Sequence, residues 1–350
     1  MKERYDELTN RAWDMPSNLQ RLTLLEEAIQ LADRYLTKQD AYEARMTYTD
    51  AAIEAGFQER MLVSFSWCLA EFEKHPGEYP HNGIMWHYKW VLHQIWRFPR
   101  LSREQIEAVF EDFRVKCEAY GYKLGPYYKN LYRFAEASGE VAQAAEYYKK
   151  WKEARRDGLS DCSACEQHAF GEYHMHRGHY KRGLRTLKPI LEGKMVCRSI
   201  PKATYSEVLI PLLENGDAEE AARLGKKGYR LLNGGQGDMD CYGDYLEYYT
   251  ITDMNRAVKI FEQSAPYVLK TRVDRDRFLY LVSALLFMEQ WHTRKRRKKL
   301  AVPDQMTLEW VRQETARLAD LFDQRNGNDG SKRYIAEKLE RSARLIRSQA

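Results

Sequence analysis

Cys162-Ser163-Ala164-Cys165 is the sharpest chemical signal in this 350-residue chain. A C-x-x-C pair opening a helix admits three readings. As a redox pair it gains from the helix N-terminus, which stabilises a thiolate, although no βαβ pattern surrounds it. As a zinc site it needs two more ligands. Cys197 begins the next helical unit and His168 lies one turn beyond Cys165, so the four residues make a candidate Cys3His set tying neighbouring units together. The third reading is structural: small thiols buried where helices pack closely. One C-x-x-C without a second leaves all three standing.

Other residues have chemistry to offer. His168, His174, His176 and His179 crowd one helix and its turn. His168 and His176 share a face, which reads either as a solvated polar surface or as a pH-sensitive lip of a groove. Arg294, Lys295, Arg296, Arg297, Lys298 and Lys299 form an unbroken basic block. It can contact phosphates, each contact adding salt dependence, or an acidic partner, or simply favour a helix C-terminus. No interleaved aromatics or glycine-rich nucleic-acid motif accompany it. Trp86, Trp90 and Trp96 alternate with Val91, Leu92 and Ile95 at helical spacing, which predicts core rather than a stacking platform. The chain contains no P-loop, G-x-G-x-x-G, G-x-S-x-G or H-E-x-x-H, so no enzyme class is indicated.

The elements that must position these residues are helices. Hydrophobic residues make up 44% and charged residues 31%, alternating runs are nearly absent, and long stretches are rich in Ala, Leu, Glu, Lys, Arg and Gln. Net charge is +5, and the basic block supplies it, so no charged field over the whole surface is indicated. The opening MKERYDELTNRAWDMP lacks the apolar stretch of a signal peptide. No apolar run reaches the roughly 18 residues of a membrane span, and six cysteines in so long a chain do not read as a disulfide framework. A cytoplasmic, reducing setting without membrane contact is the expectation.

Periodicity predicts a helix pair at 19–36 and 40–55, single helices at 60–74 and 84–97, and a loop at 75–83 carrying two prolines and two glycines. Ser102-x-x-Gln105 is a capping box opening a helix to 120, and Ser163-x-x-Glu166 is read as another. A further pair lies at 126–138 and 141–155. Residues 160–232 form two helix–turn–helix units whose turn glycines, Gly178 and Gly216, are 38 apart, the period of stacked helical repeats. Then come 240–250 with 255–269, a longer helix at 273–293, and helices at 307–325 and 333–347. Asn326-Gly327-Asn328-Asp329-Gly330 between the last two reads as a hinge.

The paired helices resemble tetratricopeptide (TPR) repeats. Gly171, Gly183 and Leu187, then Ala221, then Ala257 with Phe261, occupy the family's small and apolar places. The likeness is best over 124–269, looser for the N-terminal pair and slight in the C-terminal third. MWHYKWVLHQIWRFP, LSDCSAC and VLIPLLENGD are similar to a group of bacterial TPR-type proteins. The repeats run a few residues longer than the family's, most lack its helix-ending proline, and 76–84 interrupts the register.

The resemblance implies an all-α, right-handed α-α superhelix over residues 1–290. Residues 291–350 would be a basic turn plus C-terminal helices, capping or mobile. It further implies a non-enzymatic scaffold whose concave groove binds a protein or peptide. Carried onto this chain, the groove positions are Lys129, Arg133, His168, Glu172, His176, Ser206, Tyr242, Leu246 and Tyr249. A basic start, an acid–histidine centre and a tyrosine end would suit an extended polypeptide. The alternatives are nucleic-acid or acidic-partner binding through 294–299, or a zinc or thiol site with redox or hydrolytic activity. No cofactor is expected apart from a structural zinc at the cysteines.

Overall fold

Local capping chemistry divides this chain into short helices. Thr37 and Ser102 each accept the amide three residues on, while the side chains of Asp40 and Gln105 accept the Thr37 and Ser102 amides in return. At the far ends of two later helices Gly178 and Gly216 sit at φ 68° and 85°, left-handed values that a residue with a Cβ resists. The computed structural model describes every residue except Ser17, Arg198, Asn233, Lys295, Arg296, Arg297 and Ala350. Among the described residues it is all-helical, without strands, and the helices pack in adjacent pairs. The chain falls into two compact units, Met1–Ser160 and Asp161–Ala350.

The first unit contains α1 (Lys2–Trp13), α2 (Leu19–Tyr35), α3 (Lys38–Glu54), α4 (Gln58–Lys74), α5 (His81–Ile95), α6 (Arg103–Ala119), α7 (Gly125–Ala137) and α8 (Val141–Glu153). The sequence reading passed over α1, whose charged surface hides a stripe of Tyr5, Leu8 and Ala12 buried beside α2. Phe65, Phe72, Tyr88, Phe110 and Phe113 fill the core between α4, α5 and α6. Trp96 is buried, while Trp86 and Trp90 meet edge to face at 6.0 Å and are half-buried. Buried Lys89 lays its ammonium 3.4 Å from the Trp86 ring and donates to the Leu159 carbonyl at 2.9 Å.

The second unit contains α9 (Ser163–His176), α10 (Tyr180–Leu191), α11 (Lys202–Glu207), α12 (Leu209–Glu214), α13 (Ala218–Tyr229), α14 (Met239–Thr252), α15 (Met254–Lys270), α16 (Asp274–His292), α17 (Leu308–Asn326) and α18 (Gly330–Gln349). The helical stretch from Lys202 to Glu214 is divided into α11 and α12 at Val208. Pro211 has no amide to give the carbonyl four residues back, and its ring crowds that turn. Gly171 of α9 lies under Leu187 of α10, and Gly228 of α13 lies under Tyr205 and Tyr245, so missing side chains let these helices approach.

Within the second unit α17 packs on α16, and α18 on α14, α16 and α17. Two expectations change here. The glycine-rich stretch after α17 is a bonded turn rather than a hinge. Gly327 takes φ 67° to end α17, and buried Asp323 accepts the Ser331 and Lys332 amides at 2.6 and 3.2 Å, capping α18. Finally α14 is buried on nearly every side, against α11, α15, α16 and α18. Tyr242 and Leu246 are 0% exposed and Tyr249 5%, so these three expected groove residues are core.

Candidate functional site

Helix α9 begins at Cys162, which is itself the N-cap: its Sγ accepts the Cys165 amide at 3.5 Å. This displaces the expected Ser163/Glu166 box by one residue. Cys165 follows one turn later, and Cys197 reaches it from the segment between α10 and α11. That segment is folded back by a hydrogen bond from the Cys197 amide to the Ile200 carbonyl, 2.9 Å. Cys165 Sγ and Cys197 Sγ are 3.5 Å apart, and all three sulfurs lie within 4.8 Å of one another. Cys162 is exposed, and Cys165 and Cys197 are half-buried.

The surroundings treat these thiols differently. Burial pushes the Cys165 thiol up, and the sulfurs of Cys162 and Cys197 push it further, because a thiolate there would face two more electron-rich atoms. Burial acts upward on Cys197 as well, but hydrogen bonds from the backbone N–H groups of Ile200 and Ser199, with those of the neighbouring thiols, outweigh it and hold Cys197 below the ordinary thiol value. The cluster thus pushes Cys165 up and holds Cys197 down.

His168 is not part of this cluster. Its Nδ1 lies 3.0 Å from Thr204 Oγ1 and its Nε2 3.5 Å from Glu207, both on α11. The ring turns into the seam between α9 and α11, and the Cys3His set separates into three thiols and a distinct group of His168, Glu172 and Glu207, whose donor atoms lie within 4.8 Å of one another. His168 and Glu172 are each 8% exposed, and His174 is buried too, while His176 and His179 are exposed. The histidines are thus divided between interior and surface, and charge reversal at Glu172 would strike stability directly.

One turn along, Ser206 is buried and donates to Asp244 Oδ2 at 2.8 Å. Desolvation raises Asp244 to about 7; Lys338 opposes this, Glu207 and Glu247 add to it, and the Ser206 hydroxyl opposes it. The folded value lies above the unfolded one, so between about pH 4 and 7 the unfolded chain holds fewer protons, and stability falls as pH rises through that window. Asp244→Asn removes this loss. The variant is expected to gain on the parent as pH increases from 4 to 7.5, by at most about 1.4 kcal/mol per pH unit and less for the edge Asp244 leaves exposed. Denaturant unfolding at the two pH values checks it; a constant difference between the proteins would show an ordinary carboxylate.

Sequence reasoning missed a buried ion-pair cluster in this unit. Glu247 on α14 is 2% exposed and receives Lys338 Nζ at 2.9 Å, Arg341 Nη2 at 2.8 Å and Ser342 Oγ at 2.8 Å, all from α18. The available signal was a glutamate set among the tyrosines of α14 and, on the last helix, Lys338 and Arg341 three residues apart.

The remaining expected residues lie elsewhere. Lys129 and Arg133 are on α7, in the first unit, half-buried beside the rings of Trp151 and Tyr132 at 5.6 and 5.8 Å. Of the basic block, Arg294, Lys298 and Lys299 are exposed, while Lys295, Arg296 and Arg297 lie outside the described residues. Among the described residues no helix is long and apolar enough to cross a membrane. Comparison with known proteins finds no family model that matches this chain and no curated protein that matches it.

Proposed function

We propose that this chain is a non-enzymatic scaffold of the TPR-like kind, a right-handed superhelix of stacked helix pairs that binds a segment of polypeptide. The observation that supports this reading is the seat of α18. An amphipathic helix carrying two cations three residues apart lies on α14, with its Lys338 and Arg341 on the buried Glu247. That is the physics of helix-in-groove recognition, in which apolar faces meet and charge fixes the register. In the second unit the chain's own last helix occupies the face of α14 that carries Glu247. A partner's helix with the same cation spacing is the ligand this chemistry favours.

The test uses the full chain with a protease site inserted after Asn328. After cutting, a fluorescent peptide of residues 330–349 is expected to exchange into the protein, to be displaced by unlabelled peptide, and to bind at least tenfold more weakly with Lys338→Glu. Cationic amphipathic peptides of unrelated sequence should compete at higher concentration. A cut protein that takes up no peptide, or binds the Lys338→Glu peptide equally well, removes the support.

A further inference from the structure

We propose that Cys162, Cys165 and Cys197 are a three-thiolate site for one thiophilic d10 cation, zinc foremost, with a coordination position left facing solvent. This goes beyond the scaffold reading and does not depend on it.

Spacing is the first argument. Sulfurs bound tetrahedrally to zinc at about 2.3 Å stand about 3.8 Å apart. The 3.5 Å between Cys165 and Cys197 is within a few tenths of that, and far from the roughly 2.05 Å of a disulfide. The number of thiols points the same way, since a disulfide would consume two and strand the third.

The second argument is contrast within the molecule. Cys68, Cys117 and Cys241 are at most 6% exposed, which is how a structural thiol is packed. The three converging cysteines instead reach the surface, from a helix start and from a segment 32 residues further along. Third, backbone amides already face the outer sulfurs: that of Cys165 on Cys162, and those of Ser199 and Ile200 on Cys197. Such donors spread the negative charge of metal-bound thiolates and orient them.

The fourth position follows from what is absent nearby. Among the described residues no further His, Cys, Asp or Glu donor joins the three, and His168 is engaged with Thr204 and Glu207. On binding, each thiol that is still protonated releases its proton to solvent as its sulfur takes the metal, so affinity rises with pH. The bound ion would fasten the start of α9 to the segment preceding α11.

The test is metal uptake by the reduced full chain. Cobalt(II) is expected to bind at one equivalent with thiolate-to-metal charge-transfer absorption, and zinc to displace it. Cys162→Ser, Cys165→Ser and Cys197→Ser should each weaken binding at least about 100-fold, while His168→Gln leaves the stoichiometry and the charge-transfer band unchanged. On the unmutated protein, zinc should protect these three cysteines, and not Cys68, Cys117 or Cys241, from alkylation read by mass spectrometry, which does not depend on how well any variant folds. Absence of the charge-transfer band, equal alkylation with and without zinc, or loss of binding in His168→Gln equal to that of a cysteine variant would overturn the proposal.

Discussion

Lys338→Ala is expected to lower the unfolding free energy at pH 7 by about 3–5 kcal/mol, the cost of stranding a buried charge. Glu247 is 2% exposed and Lys338 6%, with 2.9 Å between their charged atoms. Burial pushes Glu247 up; Lys338 and Arg341 overcome that and bring it down to about 2. Because the folded value lies below the unfolded one, the pair's stabilisation is fully present above about pH 4.5 and fades as pH falls toward 2. Without Lys338 the burial effect prevails, Glu247 takes up a proton more readily, and the loss relative to the parent shrinks in acid.

Chemical denaturation at pH 7 and pH 4 measures both statements. The double variant Glu247→Gln/Lys338→Met should recover most of the loss, since a neutral pair of similar size escapes the desolvation penalty, and Arg341 is a third exposed and can turn to water. A change below about 0.5 kcal/mol for Lys338→Ala, the size of an ordinary surface substitution, would mean that α18 is not seated on α14 in solution.

Gly171→Ala is expected to destabilise by about 1–3 kcal/mol, opposite in sign to the roughly 1 kcal/mol that the same change gains in an exposed helix. A Cβ at 171 would overlap Cγ and Cδ2 of Leu187, a buried side chain with nowhere to swing. Leu187→Ala alone should cost about 2–5 kcal/mol through its cavity. The two together should cost less than their sum by about 1–3 kcal/mol, as the new methyl occupies part of the space vacated. Gly228→Ala is expected to be worse than Gly171→Ala, because one atom in the way is Cβ of Tyr205, fixed to its backbone at 2.6 Å. Gly183→Ala should be the mildest, since it meets the flexible Met175 thioether at 2.7 Å. Additive costs for Gly171 and Leu187 in thermal or denaturant unfolding would show that the α9–α10 contact is looser than described.

Much of the local structure was legible. Ser102 with Gln105 capped where the spacing said, Gly178 and Gly216 turned where they were placed, and α7 with α8 and α14 with α15 pack as adjacent pairs. Cys197 lies close to the C-x-x-C pair, a proximity its place at the start of the next unit had suggested, whereas His168 is diverted. A one-turn offset puts His168 near Cys165 on paper, but the ring swings to whichever neighbour can hydrogen-bond it, and Thr204 and Glu207 on α11 provide that. Tyr242, Leu246 and Tyr249 were assigned to a groove because the first helix of a pair was expected to stay uncovered, whereas α11, α15, α16 and α18 all pack on α14, with Tyr242 beside Tyr267 and Tyr249 beside Arg256 of α15.

Helix starts, stops and apolar stripes rest on bonds that span three or four residues, so their instructions lie side by side in the chain and the amino-acid order alone determined them. Which face stays open to solvent depends on segments that meet only after collapse, such as Glu247 and Arg341, 94 residues apart. Burying a carboxylate is tolerable only where a cation arrives to meet it. That meeting, like the convergence of three thiols, was decided by the packing of the second unit.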